Sequence, residues 1–179
     1  VLPLSPDDLQ QRLNGLALPE EASATARARA ASIAGLEPTS LEYVDTYYYL
    51  DHLLRLPWSP APETKIDVLS LSEKLRMGHF SPEFVHESLV EFLASHYSTP
   101  ERESISKLTV PVLVGPECTG KRTLGKKIGA AIDRPVEVVD LRLMASDSAI
   151  FGSISDRGRG HPGAFVNALQ RAGQRDAVV

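Results

Sequence analysis

A chain of 179 residues with 42% hydrophobic and 23% charged residues has the composition of a soluble globular protein that can bury a core, as one large or two small domains. Its net charge of −4, from 19 basic and 23 acidic residues, gives no general attraction to nucleic acid or anionic membrane, so neither partner is expected. No apolar run approaches the ~18 residues needed to span a bilayer, no secretory signal opens the chain, and the single cysteine, Cys118, excludes an internal disulfide and fits a reducing, intracellular compartment.

Ser5-Pro6-Asp7-Asp8 reads as a helix start, with a hydroxyl cap, proline at the first helical position and acids in the first turn; Leu9, Leu13 and Leu16 then share one face. Pro19-Glu20-Glu21 opens a second helix, rich in Ala and Arg through about Ala34 and stopped by Gly35. Its weak apolar face suggests a connecting or exposed element, with Arg27 and Arg29 on a solvated surface. Thr39-Ser40 caps a third helix from Leu41 to about Arg55, which Leu56-Pro57-Trp58 ends. Tyr43, Tyr47, Tyr48 and Tyr49 crowd this helix and cannot all face one side; such a cluster reads as packing rather than a ligand cage.

Ser59-Pro60-Ala61-Pro62-Glu63-Thr64 can hold neither helix nor sheet, which places a boundary after a helical segment 1–57. A linker and helical entry follow over 58–107. There Ser81-Pro82 begins a helix whose Phe84, Val85, Ser88, Leu89, Phe92 and Leu93 line one face. His86 and His96 lie beside that stripe without metal-ligand partners and read as core or surface histidines. His79-Phe80 precede the helix in a loop.

The segment 108–179 carries the chemistry. Val112-Leu113-Val114 is a short β-prone run that breaks into Gly115-Pro116-Glu117-Cys118-Thr119-Gly120, after which Lys121-Arg122-Thr123 opens an amphipathic helix through Leu124, Ile128 and Ile132. Strand, glycine-bounded loop and helix are what polyphosphate binding asks for: backbone N–H groups converge on the anion, and side chains at Gly115 and Gly120 would obstruct that approach. Lys121 adds a mobile positive charge for the β/γ-phosphates. The fingerprint then requires Ser or Thr, whose hydroxyl binds Mg²⁺, but that position is Arg122. Thr123 offers a hydroxyl one residue late, roughly 100° further round the helix, which makes it a weak metal candidate. Glu117 opposes phosphate unless it points away. The string is short, so a plain strand-turn-helix stands beside the nucleotide-site reading.

Val136-Glu137-Val138-Val139 is a second expected strand, Asp147-Ser148-Ala149-Ile150 a short helical turn, and 152–163 a long loop containing Arg157-Gly158-Arg159-Gly160-His161. Phe165, Leu169 and Ala172 belong to another helix before a final strand at Asp176-Ala177-Val178-Val179. Because strands alternate with helices, a parallel, doubly wound α/β sheet is expected, with its ligand at the strand ends. Arg157 and Arg159 suit phosphate or nucleic acid, although a flexible polar loop is the commoner meaning of such a run. A start at Val1 rather than Met and an end on a strand lead us to expect a fragment of a longer protein.

The order of these features resembles the Lon family of ATP-dependent proteases. Tyr49-Leu50-Asp51 with Leu56-Pro57-Trp58 is similar to the family's YLDWLL and LPW motifs, and Ile66-Asp67-Val68 to its LDL. His79-Phe80 resembles its His-Tyr, and Gly115-Pro116 with Gly120-Lys121 its GPPGVGKT loop. The family's segment lies on 141–163 without a gap, keeping Ile150, Gly152, Pro162 and Gly163, and Ala168-Leu169 with Arg171-Ala172-Gly173 resembles its ALKKAG.

The resemblance implies an α/β fold: a helical N-terminal arm followed by the start of a parallel AAA+ sheet with flanking helices, the chain ending on the strand before the acidic hydrolysis motif. It implies ATP and Mg²⁺ as cofactors, a homo-oligomeric, hexameric ring, protein substrates threaded through a pore, and a Ser–Lys protease domain in the parent. This chain alone, lacking nucleophile and hydrolytic acid, is expected to have no turnover. Residues 115–123 would hold the nucleotide, with His79 and Phe80 bordering the adenine. The compartment, whether cytoplasm, mitochondrial matrix or peroxisome, does not follow. Departures from the pattern are Glu117 for a proline, Cys118 for a glycine, Arg122 for the metal-binding threonine, Arg142 and Leu143 for a Gly-Gly pair, and Arg157 at the pore-loop tyrosine. They leave open a pseudo-ATPase scaffold. A stand-alone phosphate-loop kinase is disfavoured by the helical arm.

Overall fold

A computed structural model describes residues 4–59, 67–77, 81–98, 110–153 and 160–179. In chain order they form α1 (Pro6–Asn14), α2 (Glu20–Ile33), α3 (Leu41–Leu54), α4 (Val68–Arg76), α5 (Glu83–Ser98), α6 (Lys121–Ala131), a 3₁₀ turn (Leu141–Leu143), α7 (Asp147–Phe151), β1 (Gly152–Ser153), β2 (His161–Pro162) and α8 (Ala164–Ala172). The chain divides into two compact units. One comprises 1–61 and 137–177 with Val179, and the other comprises 62–136 with Val178.

In the first unit, local chemistry fixes the helix starts. The Ser5 Oγ accepts from the Asp8 amide while the Asp8 carboxylate accepts from the Ser5 amide, a reciprocal box that satisfies donors the first turn cannot. Ser40 caps α3 by a single bond, its hydroxyl accepting from the Tyr43 amide at 3.1 Å. Leu9 and Leu13 of α1, Ala26, Ala30 and Ile33 of α2, and Leu50 and Leu53 of α3 close a common core. The expectation that α2 is a connecting or exposed helix is thus corrected: its small residues recur every turn and let neighbouring helices approach, a stripe too weakly hydrophobic to stand out by sequence. The tyrosines divide as expected, with Tyr43 and Tyr47 packed on this core and Tyr48 and Tyr49 exposed. The Tyr47 hydroxyl accepts from the Leu4 amide at 2.9 Å, and the Trp58 indole donates to the Leu53 carbonyl at 2.7 Å, which fastens the chain entering α1 and leaving α3.

In the second unit, α4, α5 and α6 bury Leu71, Leu75, Leu89, Leu93, Leu124, Ile128, Ala131 and Ile132 together. α4 was not expected; Asp67 caps it by accepting from the Ser70 amide at 2.9 Å. The stripe of α5 is turned from the expected one: Leu89 and Leu93 are buried with His86, whereas Phe84 and Ser88 face solvent. The imidazole Nε2 of His86 meets Ser81 Oγ at 2.8 Å, and that polar tether lets a histidine occupy a core position.

The described chain is mostly helical. The segment 111–116 is not paired as a strand, and Val112 and Val114 are 77% and 91% exposed. Of the expected strand over 136–139, only Val136 pairs, through an isolated parallel bridge to Val178, with the Val178 amide donating to the Pro135 carbonyl at 2.9 Å. The two-stranded sheet that does form is antiparallel, Gly152 opposite Pro162 and Ser153 opposite His161, within what was expected to be an irregular loop. An apolar run becomes a strand only where a neighbour takes up its backbone groups, and among the described residues 112–114 have none.

Candidate functional site

The loop expected to hold phosphate leads directly into α6, but the run before it is not a strand among the described residues, so only the loop and helix of the expected strand-loop-helix are formed. Cys118 and Gly120 both adopt left-handed backbone, with φ of 60° and 84°, and these two turns reverse the chain so that α6 starts at Lys121. Glycine at 120 meets that demand without a Cβ penalty. Cys118 bears it as a side-chain-bearing residue and is exposed and unpaired in any disulfide. Gly115, Pro116, Glu117, Cys118 and Thr119 are exposed, as are Arg122 and Thr123, so the loop is open to solvent along its length.

Lys121 folds back over this loop. Its Nζ donates to the Gly115 carbonyl at 2.9 Å and to the Pro116 carbonyl, with Thr119 Oγ1 at 3.4 Å, while the Thr119 hydroxyl itself donates to the Pro116 carbonyl at 2.9 Å. An ammonium so placed gathers the loop and puts a positive charge at its mouth. A polyphosphate drawn to that charge would exchange carbonyl partners for stronger, charge-assisted ones. The residues therefore fit an anion. They fit Mg²⁺ poorly: Arg122 stands where a hydroxyl is needed, Thr123 projects from the next helical position, and the described residues contain no cluster of His, Cys, Asp or Glu able to hold a metal.

What holds α6 in place was not legible beforehand. Gly129 lies so close to Val136 that a Cβ there would collide with Val136 Cγ2 and come within 3.1 Å of the Arg134 carbonyl oxygen. Lys127 Nζ donates to the Met77 carbonyl at 2.7 Å, tying α6 to the end of α4. The expected apolar face through Leu124, Ile128 and Ile132 is buried. The loop is thus carried on a helix fixed by packing on three sides of its own unit.

The other sequence candidates fall differently. His79, Phe80 and Arg157, with Arg159, lie outside the described residues. Arg142 is locked locally: its guanidinium donates to both carboxylate oxygens of Asp140 at 2.9 and 2.7 Å, and that pairing holds its pKa above the ordinary value. Arg171 of α8 donates to Glu137 at 2.8 Å. At the ribbon, Gly152 has φ of 86°, and a Cβ on Gly163 would collide with the Ile150 carbonyl and sit 2.7 Å from the Gly152 nitrogen, which explains why glycine serves at both ends of 152–163. The first unit also holds a cleft of about 660 Å³, with Arg29 stacked 4.3 Å over the Tyr49 ring and His52, Leu53, Phe151 and His161 around it. Its walls are mainly aromatic and aliphatic, and sequence gave no signal for it because its sides come from segments over ninety residues apart.

Comparison with known proteins places the chain. It is 31% identical over 96% of its length to a Lon protease of Roseiflexus castenholzii, and 30% identical over 96% of its length to those of Dictyoglomus thermophilum and Phenylobacterium zucineum. Over nearly all of its length the chain is similar to a segment of Lon proteases, which supports a Lon-family fragment. It covers 22%, 21% and 21% of those proteins respectively, so it spans about a fifth of the length of the curated relatives it matches. No protein-family model matches it. Because the match to Lon sequences runs through nearly all of this chain, it takes in both the helical segment and the glycine-bounded loop. No helix among the described residues is long and apolar enough to cross a membrane.

Proposed function

We propose that this chain is the helical entry segment and first part of the ATPase of a Lon-type, ATP-driven protein-degrading machine. Within it, the loop from Gly115 to Thr123 takes the nucleotide triphosphate. The observation that carries the proposal is Lys121 Nζ folded against the Gly115 and Pro116 carbonyls at the start of α6, in a chain matched by Lon proteases over nearly its whole length. Lys121 would draw the β/γ-phosphates, backbone amides of 115–120 would cradle them, and His79 and Phe80 would border the base. ATP bound there would supply the energy for unfolding. The parallel bridge between Val136 and Val178 agrees with an AAA+ sheet. In the full assembly we propose a homo-oligomeric ring acting on protein substrates, with Arg157 in its pore loop.

A second reading, a scaffold that keeps the frame without productive Mg·ATP binding, is favoured by Arg122 at the metal position. Titration with a fluorescent ATP analogue separates them. Saturable binding that Lys121→Ala abolishes supports the nucleotide site; no saturable binding at millimolar analogue leaves the scaffold.

A further inference from the structure

The cleft of the first unit plays no part in nucleotide binding, and its size of about 660 Å³ is that of a small-ligand site. Its lining is mainly apolar, with Leu53 and Leu56 at and just past the end of α3, Phe151 of α7, Pro162 of β2 and Val166 of α8. Phe151 is 79% exposed, an aromatic ring that the chain leaves largely uncovered. Gln170 Nε2 donates to the His52 carbonyl at 2.9 Å, which ties α8 to α3 and fixes the two sides. His52 lines the cleft as well, and its buried Nδ1 has no hydrogen-bond partner among the described residues. A buried polar atom left unsatisfied is uncommon in a native protein and asks for a partner from outside the chain.

Two opposite charges line the same cleft, Arg29 of α2 and Asp45 of α3. The Arg29 guanidinium lies 4.3 Å over the Tyr49 ring, a stack that holds the group by its face and leaves the in-plane N–H donors clear of the ring. Asp45 stands one helical turn before Tyr49. Among the described residues neither side chain makes a hydrogen bond or an ion pair, with the other or with any third group. A simple anion on Arg29 would be repelled by Asp45, and a simple cation on Asp45 by Arg29. A zwitterion with an apolar body complements both charges and the lining. Positions one turn apart lie roughly 5–6 Å from each other between Cβ atoms, a gap that about two extended residues span.

We propose that this cleft binds short zwitterionic peptides of apolar residues, about two residues long, with the carboxylate on Arg29, the ammonium at Asp45 and a side chain among Leu53, Leu56, Phe151 and Val166. The site is separate from the loop at 115–123, and the proposal does not rest on nucleotide binding there. An internal stretch of polypeptide carries neither end charge, so the cleft distinguishes a free peptide from a continuous chain.

Calorimetric titration of the whole chain with leucylphenylalanine, beside its N-acetylated and its C-amidated forms, tests this. The wild type should bind the free dipeptide saturably, and each cap should weaken binding by about tenfold or more, the scale of one lost charge-assisted hydrogen bond. Arg29→Gln should abolish the effect of the amide cap alone, and Asp45→Asn that of the acetyl cap alone, which pairs each terminus with its residue. Circular dichroism verifies that both variants are folded, and the wild-type comparison of capped and free forms stands without them. No saturable binding of the free dipeptide at millimolar concentration overturns the proposal. So does a cap that leaves affinity unchanged, or a cap effect that persists when the residue assigned to it is replaced.

Discussion

Gly125 and Gly129 lie one turn apart in α6 and make opposite demands on a side chain. A Cβ at Gly125 meets nothing within 4 Å, whereas one at Gly129 runs into Val136 Cγ2 and the Arg134 carbonyl. Replacing an interior helical glycine by alanine gains about 0.8–1.0 kcal/mol in helix propensity, so Gly125→Ala should stabilise its unit by about that amount. The same gain exists at 129, but forcing a methyl into filled space typically costs about 1–3 kcal/mol. Val136 can rotate its methyls away; the Arg134 carbonyl cannot leave without moving the chain, so Gly129→Ala should be net destabilising by about 1 kcal/mol. Two identical substitutions should therefore move urea midpoints in opposite directions at unchanged slope, followed by far-UV circular dichroism. Equal shifts of one sign would refute the close approach of α6 to 134–136, and with it the account of how the loop is held.

Leu50 is fully buried in the core of the first unit, so Leu50→Ala should cost about 2–5 kcal/mol in urea unfolding, and a loss below 1 kcal/mol would contradict that packing. Gly120→Ala places a Cβ at a φ of 84° and should cost about 1–2 kcal/mol of thermal stability; an unchanged melting temperature would show that the loop does not turn there. The Asp8 carboxyl is held below its ordinary pKa, first by the Ser5 hydroxyl and then by the Ser5 amide. A lowered folded-state pKa contributes stability above the ordinary aspartate range and loses it as pH falls through the lowered value. In an NMR titration, Ser5→Ala should raise the Asp8 midpoint toward that of an unperturbed aspartate, and an unmoved midpoint would remove the capping box.

Short-range chemistry was the part legible in the sequence. Ser5 and Ser40 act on amides three residues away, and Leu124, Ile128 and Ile132 repeat with the helix, so caps and the buried face of α6 needed no tertiary information. Pairing was not legible. Val112-Leu113-Val114 has the composition of a buried strand, yet strand formation depends on a neighbour that the run does not encode. α4 escaped because it is nine residues long and its apolar residues Val68, Leu69, Leu71 and Leu75 do not all fall on one face, only Leu71 and Leu75 being buried. The rotation of α5 turned on Ser81 accommodating His86, which hydropathy alone scores as polar. At the loop, Gly120 and Lys121 were readable from spacing, whereas Gly129 against Val136 joins residues whose closeness only folding creates.

The central claim is that residues 115–123 hold a nucleotide through Lys121 and the loop amides. Amide-resolved NMR of the labelled chain during titration with ATP, in chelator and then in Mg²⁺, tests it most directly. We predict saturable shifts concentrated on the amides of Gly115 and of residues 117–123, absent in Lys121→Ala. Saturable shifts centred elsewhere, or unchanged loop amides at millimolar ATP in both conditions, would contradict it.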